Sequence, residues 1–213
     1  MTGTIQYGYT EYQYPSHHGS CTQDYLFPAV LRALTEEGVR RGDRILDLGC
    51  GNGSFAARLM EHGFSVTGVD ASESGIRQAR QHYPGLAVHL GSVYDDLAST
   101  IGVFRAIVSL EVVEHLYAPR PFAKNVYSLL EPGGVAILST PYHGYLKNLA
   151  IAVTGRSDRH YDPLWDGGHI KFWSKTTLRK LLLEAEFRDV RFINAGRIPL
   201  LAKSMVAIAH KSA

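Results

Sequence analysis

Residues 44–59, RILDLGCGNGSFAARL, place Gly49, Gly51 and Gly53 on alternate positions between a short apolar run and the opening of a helical pattern. Glycine loses more conformational freedom on folding than any other residue and brings no side chain to a core. Three of them here mark backbone that turns tightly or lies close to a ligand. Outward from this point, apolar and helical runs alternate, with strands expected at 44–48, 65–69, 86–90, 105–110 and 134–140 and helices at 53–62, 72–82 and 119–130. Strands spaced by helices predict a parallel sheet covered on both faces. The run RAIVSL (105–110) is nearly continuous in apolar residues, as a strand buried on both sides requires.

The flanks are less regular. The first 20 residues form a tyrosine-rich arm without period, with Tyr7, Tyr9, Tyr12 and Tyr14 followed by His17 and His18. Rings folded over a bound cation would add cation–π attraction; a tail without such a role is the alternative. A helix is expected over 23–38, with Pro28 tolerable only in its first turn. Past Pro141, residues 142–173 read as an irregular insertion rich in aromatics and histidines, a length that suggests binding. A helix at 174–186 and strands at 187–194 and 203–210 follow. The expectation is one domain over 1–213, with an N-terminal arm and helix at 1–38 and a substrate-side insertion at 142–173.

Composition narrows the function. The 22 Lys and Arg against 20 Asp and Glu leave a formal charge of +2, no broad footprint for nucleic acid. No apolar run reaches the roughly 18 to 20 residues that span a bilayer, and MTGTIQYGYTEYQ lacks a charged segment followed by an apolar one, so a cytoplasmic protein is expected. Cys21 and Cys50 form neither a disulfide framework nor a metal cluster.

A strand feeding a helix through Gly-x-Gly is a phosphate-binding turn in dinucleotide folds, but that fingerprint has Gly or Ala at 54, where this chain has Ser. Asp47, two residues before Gly49, would meet a pyrophosphate with like charge and suits a cationic ligand. S-adenosylmethionine fits: its sulfonium and ammonium favour a carboxylate, while its own carboxylate faces helix-terminal N–H groups. A ligand-free structural turn and a nucleotide-dependent oxidoreductase are the competing readings. Asp70 closes the run SVTGVD, 21 residues beyond Gly49, near the roughly 20-residue spacing at which an acid reaches ribose hydroxyls. It is also placed to cap a helix beginning near Ser72. In HLGSVYDDL (89–97), Ser92 and Val93 would lie beside adenine.

ILDLGCGNG, VTGVD, FRAIVSLEVVEHL and LEPGGVAILSTP, in this order, resemble the class I S-adenosylmethionine-dependent methyltransferases over about residues 40–145. With GGHIKFWSKTTLRKLLLEAEF, they are similar to the ubiquinone-biosynthesis O-methyltransferases and their bacterial relatives. The resemblance implies an α/β, Rossmann-like, seven-stranded, mostly parallel sheet with helices on both faces and an antiparallel last strand. It also implies methyl transfer to a nucleophile, with Gly49, Asp70 and Leu110 on the cofactor. The candidate cofactor residues are Asp47, Gly49, Cys50, Gly51, Asp70, Ala71, Ser92, Val93, Leu110 and Glu111.

Methyl transfer needs alignment more than activation, and a base only where the nucleophile arrives protonated. His115, Glu114, His143 and His169 are the catalytic candidates. The resemblance associates Glu111, Glu114 and His115 with a divalent metal; Glu111 shaping the cofactor pocket and Glu114 and His115 capping a turn is the plain alternative, and no metal ligand is assigned. In the insertion, His143, His160, Asp166 and His169 among Tyr142, Tyr145, Tyr161, Trp165 and Trp173 suggest an aromatic-walled pocket, or else rings packed on one another. The expected reaction is methylation of a small molecule at oxygen. Nitrogen, carbon or sugar-directed transfer, and a catalytically inactive cofactor binder, stand as alternatives. The oligomeric state is not readable.

Overall fold

Apolar strands flanked by amphipathic helices bury both faces of a sheet only if side chains of alternating direction meet helices on both sides. The computed structural model, which describes residues 14, 21–165, 167–197 and 201–213, shows this arrangement. In chain order the elements are α1 (Cys21–Glu36), β1 (Arg44–Leu48), α2 (Ser54–Glu61), β2 (Ser65–Asp70), α3 (Glu73–His82), β3 (Ala87–Leu90), α4 (Ala98–Ile101) and β4 (Phe104–Leu110). A 3₁₀ turn (Val113–His115) precedes α5 (Pro119–Ser128), β5 (Leu130–Pro141), α6 (Tyr145–Val153), α7 (Ser157–His160), α8 (Lys175–Glu184), β6 (Arg188–Ala195) and β7 (Ser204–His210).

The seven strands form one sheet in the order β3-β2-β1-β4-β5-β7-β6. β7 runs antiparallel to both neighbours, and the strands from β1 to β5 pair in parallel. Ile45, Ala106, Val108, Ile137 and Ile208 point to one face, under α1, α2 and α3. Leu46, Leu48, Ile107, Leu138 and Ala207 point to the other, under α5 and α8. The expected sheet is therefore present, with one extension: β5 starts at Leu130, and its register on β4 jumps between the Phe104↔Leu130 and Ala106↔Val135 pairs. The Pro132-Gly133-Gly134 excursion absorbs the extra residues, with Gly133 at φ +72°.

Three expectations need correction. α1 begins at Cys21, so Pro28 lies inside it, on the exposed side of the helix, where the carbonyl left without its N–H donor is open to solvent. Ser72, not Asp70, caps α3, its hydroxyl accepting from Gly75 N at 3.0 Å. The insertion is not irregular throughout, because YLKNLAIAV, free of internal Gly and Pro and rich in Leu and Ala, forms α6. Of the arm, Tyr14 alone is described; Tyr7, Tyr9, Tyr12, His17 and His18 lie outside the described residues, as does Asp166. Among the described residues, no helix is long and apolar enough to cross a membrane.

Phe122, fully buried in α5, anchors that helix to the sheet. Phe122→Ala is expected to lower unfolding free energy by about 3–5 kcal/mol, read from the denaturant midpoint at unchanged slope.

Candidate functional site

Parallel strands bring their carboxyl ends to one edge, and there β1 runs into the glycine loop. Gly49 and Cys50 both donate backbone hydrogen bonds to Val69 O, at 2.8 and 3.0 Å, locking the loop onto the end of β2. Gly49 has φ +87° and Gly51 φ +55°, where side chains are strained. Space is closed too: a Cβ on Gly49 would strike a Val112 methyl, and one on Gly51 would strike the Tyr14 ring. Tyr14 is tied down beside the loop, its N–H donating to Ser74 Oγ at 3.3 Å and its carbonyl accepting from Gln78 Nε2 at 2.6 Å.

The two acids stand on either side of this backbone. Asp70 accepts from Gly51 N through Oδ2 and from Ser72 N through Oδ1, each at 2.8 Å, linking loop to strand end. Asp47 is only 2% exposed, and its Oδ2 has no hydrogen-bond partner among the described residues. Burial, with Asp70 adding like charge, raises its carboxyl to about 7. Cys50 is buried against Gly68 and its thiol is pushed up by burial and then by Asp47 and Asp70, so it is a packing residue and not a reactive thiol. Ala71 follows Asp70 at the loop rim. Ser92 and Val93 form a turn past β3, where Ser92 N donates to Asp95 Oδ2 at 2.7 Å and Val93 O accepts from Asn125 Nδ2 at 2.8 Å. Leu110 ends β4 and packs partly buried on the core.

Beyond β4 the chain turns sharply. Glu111 adopts φ +56°, an uncommon conformation for a side-chain-bearing residue. Its N–H donates to Ser139 O at 3.1 Å, and Ser139 Oγ donates to Glu111 Oε1 at 2.7 Å. Burial raises the Glu111 carboxyl to about 7, opposed by hydrogen bonds from Ser139 and Ser204 and by the charge of Lys147.

Glu114 is 1% exposed, and neither carboxylate oxygen has a hydrogen bond among the described residues. Burial and then Glu111 hold its carboxyl well above the usual range. Its backbone carbonyl accepts from Ile170 and Lys171, both at 2.9 Å, drawing the end of the insertion to the 3₁₀ turn. His169 Nε2 thereby lies 3.9 Å from Glu114 Oε1. His115 Nδ1 is 2.8 Å from Gly167 O; a carbonyl only accepts, so Nδ1 carries the proton and Nε2 presents a lone pair. One ligating atom from each of Glu114, His115 and His169 falls within 4.8 Å of the others. Burial lowers both histidines, His169 to about 4.

Three of the four catalytic candidates thus come together. His143 stands apart, stacked with Tyr161 at 6.0 Å between ring centroids, and burial lowers it to about 4. It lines a cavity of ≈ 310 Å³ with Glu111, Lys147, His160, His169, Arg197, Lys203 and Ser204. The rings of the insertion pack on its histidines and on one another, Tyr161 and Phe172 on His143 and Trp165 on His115 and His169, whereas Trp173 is buried and donates from Nε1 to Val113 O at 3.2 Å and Tyr145 is 79% exposed. Cations line the cavity as well. The residues missed in the sequence are Ser139 of β5, Lys147 of α6, and Arg197, Lys203 and Ser204 about the β6–β7 connection, and no local spacing flags them.

The Asp47 environment carries a pH signature. Unfolded, its proton leaves near about 3.9; folded, it is held up to about 7. Between these values the folded state keeps a proton that the unfolded state has lost, so stability falls as pH rises through the window and levels above it. Asp47→Asn removes this slope. Its stability relative to wild type, from denaturant melts between pH 4.5 and 7.5, is expected to improve by up to about 1.4 kcal/mol per pH unit; a constant difference would contradict the burial.

The sequence profile of the methyltransferase domain family matches residues 20–191. A ubiquinone biosynthesis O-methyltransferase of Caulobacter sp. (strain K31) is 38% identical over 143 residues, 63% of this chain and 56% of the relative. One of Dinoroseobacter shibae is 33% identical over 166 residues, 75% of this chain and 65% of the relative. The chain thus spans less than two thirds of the length of either. Among solved structures, magnesium protoporphyrin IX methyltransferase from Synechocystis with bound S-adenosylhomocysteine aligns at TM-score 0.68 and 20% identity, covering 88% of this chain and 82% of that one. That likeness speaks to the fold, and the match along residues 20–191 to ancestry: the chain belongs to the methyltransferase domain family.

Proposed function

We propose that the chain transfers the methyl group of S-adenosylmethionine to a small molecule, with a hydroxyl oxygen as acceptor. The observation that carries this reading is Asp47, a buried carboxylate with an unmatched oxygen beside bare glycine backbone at the end of β1. Such a group is stabilised by a cation and opposed by a pyrophosphate. The amino end of S-adenosylmethionine supplies the cation, and its carboxylate faces the N–H groups opening α2. Asp70 keeps acceptor capacity on both oxygens for the ribose hydroxyls. Ala71, Ser92 and Val93 border the adenine, Leu110 and Glu111 the methionine part, with Gly49, Cys50 and Gly51 beneath. Tyr14 beside Gly51 supports the reading of the arm as a cover over the cofactor. The O-methyltransferase names of the Caulobacter and Dinoroseobacter relatives support oxygen over nitrogen or carbon.

In the transfer, the hydroxyl proton passes to the Glu111 carboxylate, an oxygen lone pair forms the new C–O bond, and the C–S electron pair stays on sulfur as a neutral thioether. Glu111 suits the base because its carboxyl, raised to about 7, is matched to neutral pH. His143 and His169 are neutral at that pH but weakly basic, and they serve to shape the cavity and accept hydrogen bonds.

A second reading has its own observation. Glu114, with two orphaned buried oxygens, sits with His115 and His169 as an oxygen and nitrogen donor set that fits a divalent cation. The Gly167 carbonyl on His115 Nδ1 is the outer partner that orients such a ligand. A bound ion would lower the pKa of a nearby hydroxyl.

Asp70→Ala is expected to weaken S-adenosylmethionine binding by about 1.5–3 kcal/mol in calorimetry, with the fold intact; unchanged affinity would remove its assigned role. If NAD rather than S-adenosylmethionine raises the melting temperature, the oxidoreductase reading takes over. Transfer of labelled methyl into a metabolite extract separates an enzyme from a binder. For the cation, activity is expected to fall in chelator and return with a divalent ion, and Glu114→Gln to abolish the return; full activity in chelator rejects it.

A further inference from the structure

The cavity beside Glu111 holds an unbalanced charge. Lys147 comes from α6, while Arg197 and Lys203 stand at the two ends of the β6–β7 connection, so two segments bring three cations to one hollow. His143 and His160 stand among them, and Glu111 is the acid in the lining. Among the described residues, no carboxylate lies within ion-pair distance of any of the three cations. Lys203 Nζ instead lies 5.0 Å from the Tyr25 ring centroid.

Arg197 and Lys203 are exposed at the mouth of the hollow, and Lys147 is set deeper. Lys147 is half-buried, and its Nζ donates one hydrogen bond, to Tyr142 O at 2.8 Å, leaving two N–H directions unassigned. Burial lowers its pKa first and the like charge of Arg197 lowers it further, while the Glu111 carboxylate raises it, so the two cations feel each other and Glu111 offsets part of their repulsion. Convergent like charges in a partly desolvated hollow are unfavourable unless an anion joins them.

We propose that the methyl acceptor is itself an anion, a hydroxyl-bearing molecule whose carboxylate or phosphate is held by Lys147 and Arg197, with Lys203 at the rim. Arg197 offers a planar fork for two anionic oxygens, Lys147 a point charge, and the ≈ 310 Å³ cavity is of a size for one small ring. Binding at that end leaves the opposite end of the molecule toward Glu111, so the charge selects the substrate and fixes which hydroxyl reacts. The word acceptor rests on the methyltransferase reading; the anion site does not, and the two are tested separately.

The probes are 4-hydroxybenzoate and its neutral isostere 4-hydroxybenzamide, with phenyl phosphate and inorganic phosphate, titrated calorimetrically into the full chain with and without S-adenosylhomocysteine. At low salt, 4-hydroxybenzoate or phenyl phosphate is expected to bind at least about tenfold more tightly than the amide, the stronger of the two naming the anion. The advantage should shrink as salt rises. Lys147→Gln and Arg197→Gln should each remove most of it, while affinity for the amide and for S-adenosylhomocysteine stays put, which also verifies folding. Equal affinity for acid and amide, no binding of any anion, or an advantage untouched by both substitutions overturns the proposal. Failure of S-adenosylhomocysteine to bind while anions bind would instead sink the methyltransferase reading alone.

Discussion

The structure depends on a constraint of parallel sheets: strands that run together end together. β1 and β2 pair in register from Arg44↔Ser65 to Leu48↔Val69, so Asp47 and Asp70 reach the same edge a few residues apart in height. Burial out of water is the larger cause and the like charge of Asp70 the smaller, and together they hold the Asp47 proton far above the usual carboxylate range. Asp70 escapes part of this cost by accepting from two backbone N–H groups. The glycine loop is what permits it, because Gly51 bends its N–H to Asp70 in a conformation that a larger residue would resist.

The same edge then divides by charge. Over β1 and β2 it is acidic and bare, suited to a positively charged ligand lying on the main chain. Over β5, β7 and the insertion it is basic, with Lys147, Arg197 and Lys203 around a hollow. On the proposed reading this split sorts the two ligands, since a cationic donor and an anionic acceptor each find the wrong half repulsive. It also draws their reacting ends together at the border.

The parts legible in the sequence were those whose cause is local. Short apolar runs alternating with helical ones located all seven strands, and the spacing of Asp47, Gly49 and Asp70 placed them at one edge, because parallel pairing converts sequence order into position. The parts that were not legible depend on distant contacts. His169 meets Glu114 only because the Glu114 carbonyl captures Ile170 and Lys171. Arg197 and Lys203 flank the β6–β7 connection, and Lys147 joins them because β7 pairs beside β5, from whose end the insertion departs. The aromatic residues of the insertion divide for the same reason: Tyr161 and Trp165 pack on its histidines, Trp173 serves the core and Tyr145 faces outward, a choice that composition does not make.

Glu111 shows how the two halves are joined. A residue continuing β4 would point its side chain into the helical layers, but at φ +56° the chain leaves the strand, and Ser139 of β5 holds the turned carboxylate. Such a conformation costs about 1–3 kcal/mol and persists only where surrounding contacts fix it. Here those contacts are the two Ser139 bonds on one side and, on the other, Val112, whose methyl groups press against Gly49. The glycine loop and the proposed base are thus set by adjacent residues of one turn, so a shift in the loop moves the base with it. For a displacement that requires nucleophile, carbon and sulfur in line, rigid coupling between donor site and base is worth more than either group's intrinsic reactivity.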